Sequence, residues 1–227
     1  YVVASPLWNN AGLTDAGAVT LGNGVSGTTG FVGAANSLIG TALNERAGLS
    51  GVTVLTNGNF VVGNSGWDNG AAIDAGSVTW CSGTGGCPPA VSAATSLVGT
   101  KSNDNLGTAF TVTALPNGNY AVRSPNFDNG PLANSGAVTY GAGNGGTVGP
   151  VTNSNSVLGS AAGGGPIQVF GFDPADETLV VGRRAEGLVT IFNPTYTAVA
   201  NGGWSTAPTW DYGTFAKPHD VVVPNGR

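Results

Sequence analysis

The chain has 227 residues and a net charge of −5 at neutral pH, with 41% hydrophobic and only 8% charged residues. Ordinary domains carry roughly 25% charged residues, so the polar surface here must be built from Asn, Ser, Thr and Gly. Seven thinly spread basic residues exclude a nucleic-acid footprint, and no apolar run approaches the ~20 residues of a membrane-spanning helix.

The 39 glycines and 13 prolines accompany abundant valine, a composition that favours packed β-structure over disorder. The chain opens at Tyr1 inside a strand pattern and contains no Met, which reads as a mature or trimmed fragment.

In chain order, the first apolar run, "YVVASPLWNN" from Tyr1, predicts a strand and a polar loop, followed by "DAGAVTL" (15–21) and "ANSLIG" (35–40). The same landmarks return as "FVVGNSGWDN" from Phe60, "DAGSVTW" (74–80) and "ATSLVG" (94–99). They return again as "YAVRSPNFDN" from Tyr120, "NSGAVTY" (134–140) and "NSVLG" (155–159). A looser fourth copy starts with "LVVGRRAEG" at Leu179, so the starts lie 59, 60 and 59 residues apart. The implied units are 1–59, 60–119, 120–178 and 179–227, all within one domain.

Each full unit predicts four short strands. Val52–Leu55 and Phe60–Val62 flank Asn57-Gly58, a pair that predicts a two-residue type I′ hairpin. Strands at Ser77–Trp80 and Ser96–Val98 follow, with nothing of helical period between them. Repeated four-stranded units predict an all-β fold, a β-propeller of four blades. The ending "HDVVVPNGR" matches "TVTALPNGNY" (111–120), so Val221–Val223 is expected to supply the innermost strand of the sheet that opens the chain. That would close a ring beside Tyr1–Val3. A β-solenoid, or part of a larger propeller, is the alternative.

Cys81 and Cys87 enclose five small residues in "CSGTGGC". A disulfide is expected, against two free thiols or half of a metal site, because zinc wants a second Cys/His pair and the sole histidine is His219. A bridged loop implies an oxidising compartment, hence a secreted or surface protein. No allowed Asn-x-Ser/Thr sequon is present.

The run "NGN-[YF]-x-V" followed by an aromatic and Asn, then "[DN]-x-G-x-V-T" and "S-[LV]-[IVL]-G", resembles an uncharacterised repeat of large secreted bacterial surface proteins, often labelled haemagglutinin-like. The likeness covers about residues 1–160 and implies an extracellular, adhesin-like setting. Beyond it, "GFDPADETLVVGRRAEGLVTIFNP" resembles blades of NHL-like soluble propellers. "DAGSVTW" resembles the Asp-box of sialidase propellers with one extra residue between Gly and Thr. Asp15, Asp74 and Asn134 therefore read as turn caps.

Unit four is eight residues shorter between its second and third strands. The extra residues of the other units carry Trp8-Asn9-Asn10, Trp67-Asp68-Asn69 and Phe127-Asp128-Asn129. Three such loops on one rim would suit sugars, the rings covering C–H patches and the amides and carboxylates taking hydroxyls. The alternative is that each aromatic tucks under its own loop and Asp-Asn-Gly is turn chemistry.

No nucleophile constellation is present: His219 is the lone imidazole, and Glu177, Glu186 and Asp211 are scattered. No cofactor is expected. Calcium is the one candidate, between Asp68 and Asp74 or Asp128 and Asn134. The expected function is a non-enzymatic extracellular binding or adhesion module with glycans or cell-surface components as partners. The alternatives are a purely structural, self-associating array module and, third, a propeller hydrolase or lyase.

Overall fold

The structure, a computed structural model, describes residues 1–193 and the backbone of the strand His219–Val222. The described residues are all-β apart from two single-turn 3-10 segments, Gly165–Ile167 and Arg184–Glu186. Strands fall where the Val-rich alternating runs predicted them. They form four small sheets, none of which closes on itself.

The first sheet holds β1 (Val2–Ser5), β2 (Ala18–Leu21) and β3 (Ser37–Ile39). The second is a meander of β4 (Val52–Val54), β5 (Phe60–Asn64), β6 (Ser77–Cys81) and β7 (Ser96–Val98). The third repeats it with β8 (Val112–Ala114), β9 (Tyr120–Ser124), β10 (Ala137–Gly141) and β12 (Ser156–Leu158). Between the last two strands, the short β11 (Gly149–Pro150) leaves the third unit and pairs in parallel with β7 of the second sheet. The fourth sheet comprises β13 (Val169–Asp173), β14 (Thr178–Arg183), β15 (Leu188–Phe192) and β16 (His219–Val222).

Consecutive sheets pack face to face, which is why their strands are apolar on both sides. All five residues of β5 are buried, as are all five of β10. Val19 and Leu38 of the first sheet meet Phe60 and Val62 of the second. Val61, Val78 and Leu97 meet Tyr120 and Val122 of the third. Ala121, Val138 and Val157 meet Leu179 and Val181 of the fourth. Each such large apolar side chain contributes about 1.5–3 kcal/mol on burial. No sheet could hide both faces alone. Within each of the first three sheets a hydroxyl pair ties the two last strands of the unit, β2 to β3, β6 to β7 and β10 to β12: Thr20–Ser37, Thr79–Ser96 and Thr139–Ser156, at 2.6, 2.8 and 2.7 Å.

Two sequence expectations are corrected. The Asn57-Gly58 hairpin is not a two-residue type I′ turn, because only Gly58 has positive φ (85°). Leu55 pairs with Asn59 across a three-residue loop, in which the Gly58 N–H donates to the Leu55 carbonyl at 3.1 Å. This is a turn capped by a left-handed glycine. Asn57 stays outside the left-handed region, and its side chain is engaged: Oδ1 accepts the Asn59 N–H, and Nδ2 donates to the Gly143 carbonyl of the third unit.

The ring closure expected of Val221–Val223 is also not observed. Val221 and Val222 pair with Val189 and Leu188 of β15, so β16 completes the fourth sheet and the first sheet stays three-stranded. The physical reason is proximity in sequence: β16 finds an unpaired edge on its own unit.

Candidate functional site

The loop between the second and third strands is built identically in three units. In unit two, the Trp67 N–H donates to the Asn64 carbonyl as the strand ends. Asn69 and Ala72 then exchange backbone hydrogen bonds at 3.0 and 3.1 Å, and the Gly76 N–H returns to the Trp67 carbonyl at 2.9 Å. The side chains lock this excursion. Asp68 Oδ1 accepts the Asp74 N–H at 2.8 Å, and Asn69 Nδ2 donates to the Gly99 carbonyl at 2.8 Å.

Units one and three repeat both locks. Asn9 Oδ1 takes the Asp15 N–H and Asn10 Nδ2 reaches the Gly40 carbonyl. Asp128 Oδ1 takes the Asn134 N–H and Asn129 Nδ2 reaches the Gly159 carbonyl. Asp15, Asp74 and Asn134 sit in the left-handed region at φ 51°, 52° and 49°. Asp and Asn tolerate that conformation best among non-glycine residues.

The following glycine permits a close approach of two backbones. A Cβ on Gly76 would lie 2.2 Å from the Leu106 amide nitrogen.

The aromatic rings do not form an open rim. Trp67 is 8% exposed and packs in the cluster between the first and second sheets; Phe127 is 4% exposed and packs between the second and third. Trp8 is half-buried, beside exposed Leu7 and Asn9. The Asp/Asn and Asn side chains are spent on backbone partners.

Sequence reasoning missed a second recurring device, a carboxylate at each junction. Glu45 is buried; its Oε2 accepts the N–H groups of Thr41 and Ala42 at 2.6 and 3.1 Å, while Oε1 accepts Asn64 Nδ2 of the next sheet. Asp104, 1% exposed, does the same 59 residues on. Its Oδ2 takes Thr100 and Lys101 N–H, both at 2.9 Å, and its Oδ1 takes Asp128 N–H of the third unit at 3.0 Å. In the third unit the corresponding residue is Gly164, and the carboxylate comes from the fourth unit instead. Glu186 accepts the Ser160 N–H at 2.8 Å and pairs with Arg183 at 2.6 Å.

The chemistry of these acids is structural. Burial pushes the Glu45 and Asp104 carboxyls above their usual range, and their backbone hydrogen bonds pull part of the way back. The Asp128 charge adds to the rise at Asp104.

The architecture just described matches a known repeat. The family model described as "Repeat of unknown function (DUF5650)" matches residues 1–49, 54–108 and 114–165. The chain belongs to this family. Each matched stretch holds three strands of its sheet and the locked loop, whereas β4 (Val52–Val54) and β8 (Val112–Ala114) fall almost wholly between the matches. The fourth sheet, whose second-to-third connection is only the turn Arg184–Glu186, lies outside the match. No curated protein and no solved structure matches the chain.

The second DUF5650 repeat carries a disulfide between Cys81 and Cys87, closing a loop further tied by the Ser82–Gly86 backbone pair. The other two repeats hold the same loop with a hydroxyl. Thr28 Oγ1 accepts the Asn23 N–H, and Thr147 Oγ1 accepts the Ala142 N–H. The disulfide thus stands where the first and third repeats of this chain make a hydrogen bond.

Among the described residues no three His, Cys, Asp or Glu side chains gather in a group that could hold a metal ion, and no helix is long and apolar enough to cross a membrane. Of the scattered candidates, Asp211 lies outside the described residues and His219 is described only as backbone. Glu177 occupies a turn with φ 52°.

Proposed function

We propose that this chain is a non-enzymatic structural module of an extracellular or cell-surface array, in which DUF5650 repeats stack sheet on sheet. The observation that carries this reading is how the recurring loop uses its side chains. Trp67 and Phe127 fill the spaces between sheets, and Asn69, Asn129, Asp68 and Asp128 satisfy backbone groups.

The Cys81–Cys87 bridge supports an oxidising compartment. A chain with only 8% charged residues supports a polar, weakly charged skin. Four-stranded antiparallel meanders laid face to face also support the finer, propeller-like version of this arrangement.

A second reading, attachment through glycans in an adhesin-like parent, is favoured by one residue. Trp8 is half-buried beside exposed Leu7 and Asn9, so part of one indole is available for a sugar. A glycan array of the wild-type chain and Trp8→Ala, with thermal melts of both and of Trp67→Ala, separates the two readings. The structural reading expects no saturable glycan binding and a Trp67→Ala loss of about 3–5 kcal/mol. Saturable binding abolished by Trp8→Ala at an unchanged melting temperature would refute it in favour of attachment.

A further inference from the structure

Six Asn-Gly pairs fall among the described residues, at Asn23, Asn57, Asn69, Asn117, Asn129 and Asn144. Two more, Asn201-Gly202 and Asn225-Gly226, lie outside them. The dipeptide has chemistry of its own. Glycine has no Cβ to shield its backbone nitrogen, so that nitrogen can reach the asparagine Cγ and close a succinimide ring. A folded chain allows this only where the glycine N–H is unengaged and the side-chain amide is free to turn its carbon toward it.

Five pairs fail one condition or both. The Gly58 and Gly118 N–H groups donate to the Leu55 and Leu115 carbonyls at 3.1 and 3.2 Å. The Asn57 and Asn117 amides are held by the Gly143 carbonyl and the Tyr140 hydroxyl. Asn69 and Asn129 are locked through Nδ2 on the Gly99 and Gly159 carbonyls, at 2.8 and 2.9 Å. Asn23 Oδ1 accepts the Val25 and Ser26 N–H groups at 2.8 and 2.9 Å, and its own carbonyl takes the Gly27 N–H at 3.0 Å.

Asn144 differs. It is exposed in the loop between β10 and β11, and the following Gly145 N–H makes no hydrogen bond. The side chain has one hydrogen bond, 3.4 Å long, accepted by Oδ1 from an Asn57 Nδ2 that already serves the Gly143 carbonyl at 2.9 Å. A Cβ built on Gly145 would meet nothing within 4 Å, so the tip has room to move. The flanks are fixed, since the Ala142 N–H donates to Thr147 Oγ1 and the Gly143 N–H to Asn119 Oδ1, at 3.0 and 2.8 Å. The tip can therefore turn without the fold opening.

We propose that Asn144 is a self-modification site, at which the folded protein converts asparagine to aspartate and isoaspartate faster than at its other described Asn-Gly pairs. Hydroxide removes the Gly145 amide proton, and the nitrogen attacks Asn144 Cγ. The N–Cγ bond forms, the Cγ–Nδ2 bond breaks, and Nδ2 leaves as ammonia after taking a proton from water. A second water opens the succinimide, giving aspartate when it adds at Cγ and isoaspartate when it adds at the main-chain carbonyl. Either product places a carboxylate one residue from the Gly143 carbonyl, on which Trp80, Asn57 and Asn59 converge from the second sheet's side. The change thus falls on the junction of the second and third sheets. The inference goes beyond the structural reading above and holds equally for an attachment module.

Incubation of the wild-type chain at mildly alkaline pH, native and in urea, tests the inference when followed by proteolysis at acid pH and mass-spectrometric peptide mapping that separates aspartate from isoaspartate. In urea the six pairs are expected to react at similar rates. In native buffer Asn144 is expected to stay close to its urea rate, while the other five slow about tenfold or more, the factor set by breaking a hydrogen bond. Asn144→Gln is expected to melt like wild type, because the tip is exposed, and to lack the early product.

A native Asn144 that slows as much as the other five overturns the inference, as does any of those five outrunning it. Early product that persists in Asn144→Gln overturns it as well. These rates are read whether or not glycans bind, so neither outcome bears on the structural reading.

Discussion

Replacing Asp104 tests the carboxylate that joins the second and third sheets. The side chain is 1% exposed and accepts three backbone N–H groups, from Thr100, Lys101 and Asp128. Each bond to a charged acceptor contributes about 1.5–3 kcal/mol. Thr100 is exposed and Lys101 half-buried, so water replaces part of what Asp104→Ala removes, and the expected loss is about 3 kcal/mol. Asp104→Asn keeps one carbonyl for Thr100 and Lys101 but turns an NH₂ toward the Asp128 N–H, which predicts a loss of about 1–2 kcal/mol.

The pH dependence has a definite sign. Burial raises the carboxyl above its usual 3.8, so in this window the folded protein holds a proton that the unfolded chain has released. Stability of the wild type therefore falls as pH rises from 3.8 through the raised folded value, then levels off. Asp104→Asn lacks this titration, so the difference between the two proteins shifts against the wild type across that window. Urea unfolding followed by tryptophan fluorescence, in steps from acid to neutral pH, measures both effects. A loss below about 1 kcal/mol for Asp104→Ala, or a difference that is flat with pH, would refute the reasoning.

Two further outcomes follow from the loops. Reducing Cys81–Cys87, which are six residues apart, is expected to cost about 2 kcal/mol, the small loop limiting the entropic effect; calorimetry with and without reductant measures it, and no shift in melting would show that the backbone pairing alone holds the loop. Asn69→Ala leaves the Gly99 carbonyl without its donor and is expected to cost about 1 kcal/mol in chemical denaturation, whereas a neutral effect would mean that water takes over the role.

Much of the fold was legible because the apolar runs keep step at intervals of 59 and 60 residues. Strands at Val52, Phe60, Ser77 and Ser96 follow from that alternation. Strand partners were less legible: Val221 and Val222 carry the same apolar run as Val112 and could equally have met Tyr1–Val3, and only the free edge of β15 decides between them.

At the candidate site, sequence gave the nine loop residues their register but not their direction. Trp67 is flanked by Gly66 and Asp68, and nothing in those polar neighbours reveals that the ring enters between two sheets. Glu45 and Asp104 were readable in principle, since each follows a Thr by four residues in matching repeats. Their counterpart was not, because Gly164 leaves a gap that Glu186 fills from another unit.

The parallel strand β11 has a consequence for how the molecule comes apart. Gly149 and Pro150 belong to the third repeat yet are hydrogen-bonded to Leu97 and Val98 of the second, so these two layers are laced as well as packed. They must open as one cooperative block. The first layer is tied across at the corresponding place by a single bond, from the Ile39 N–H to the Pro89 carbonyl. The first layer is therefore expected to fray before the laced pair, whose amide protons exchange later.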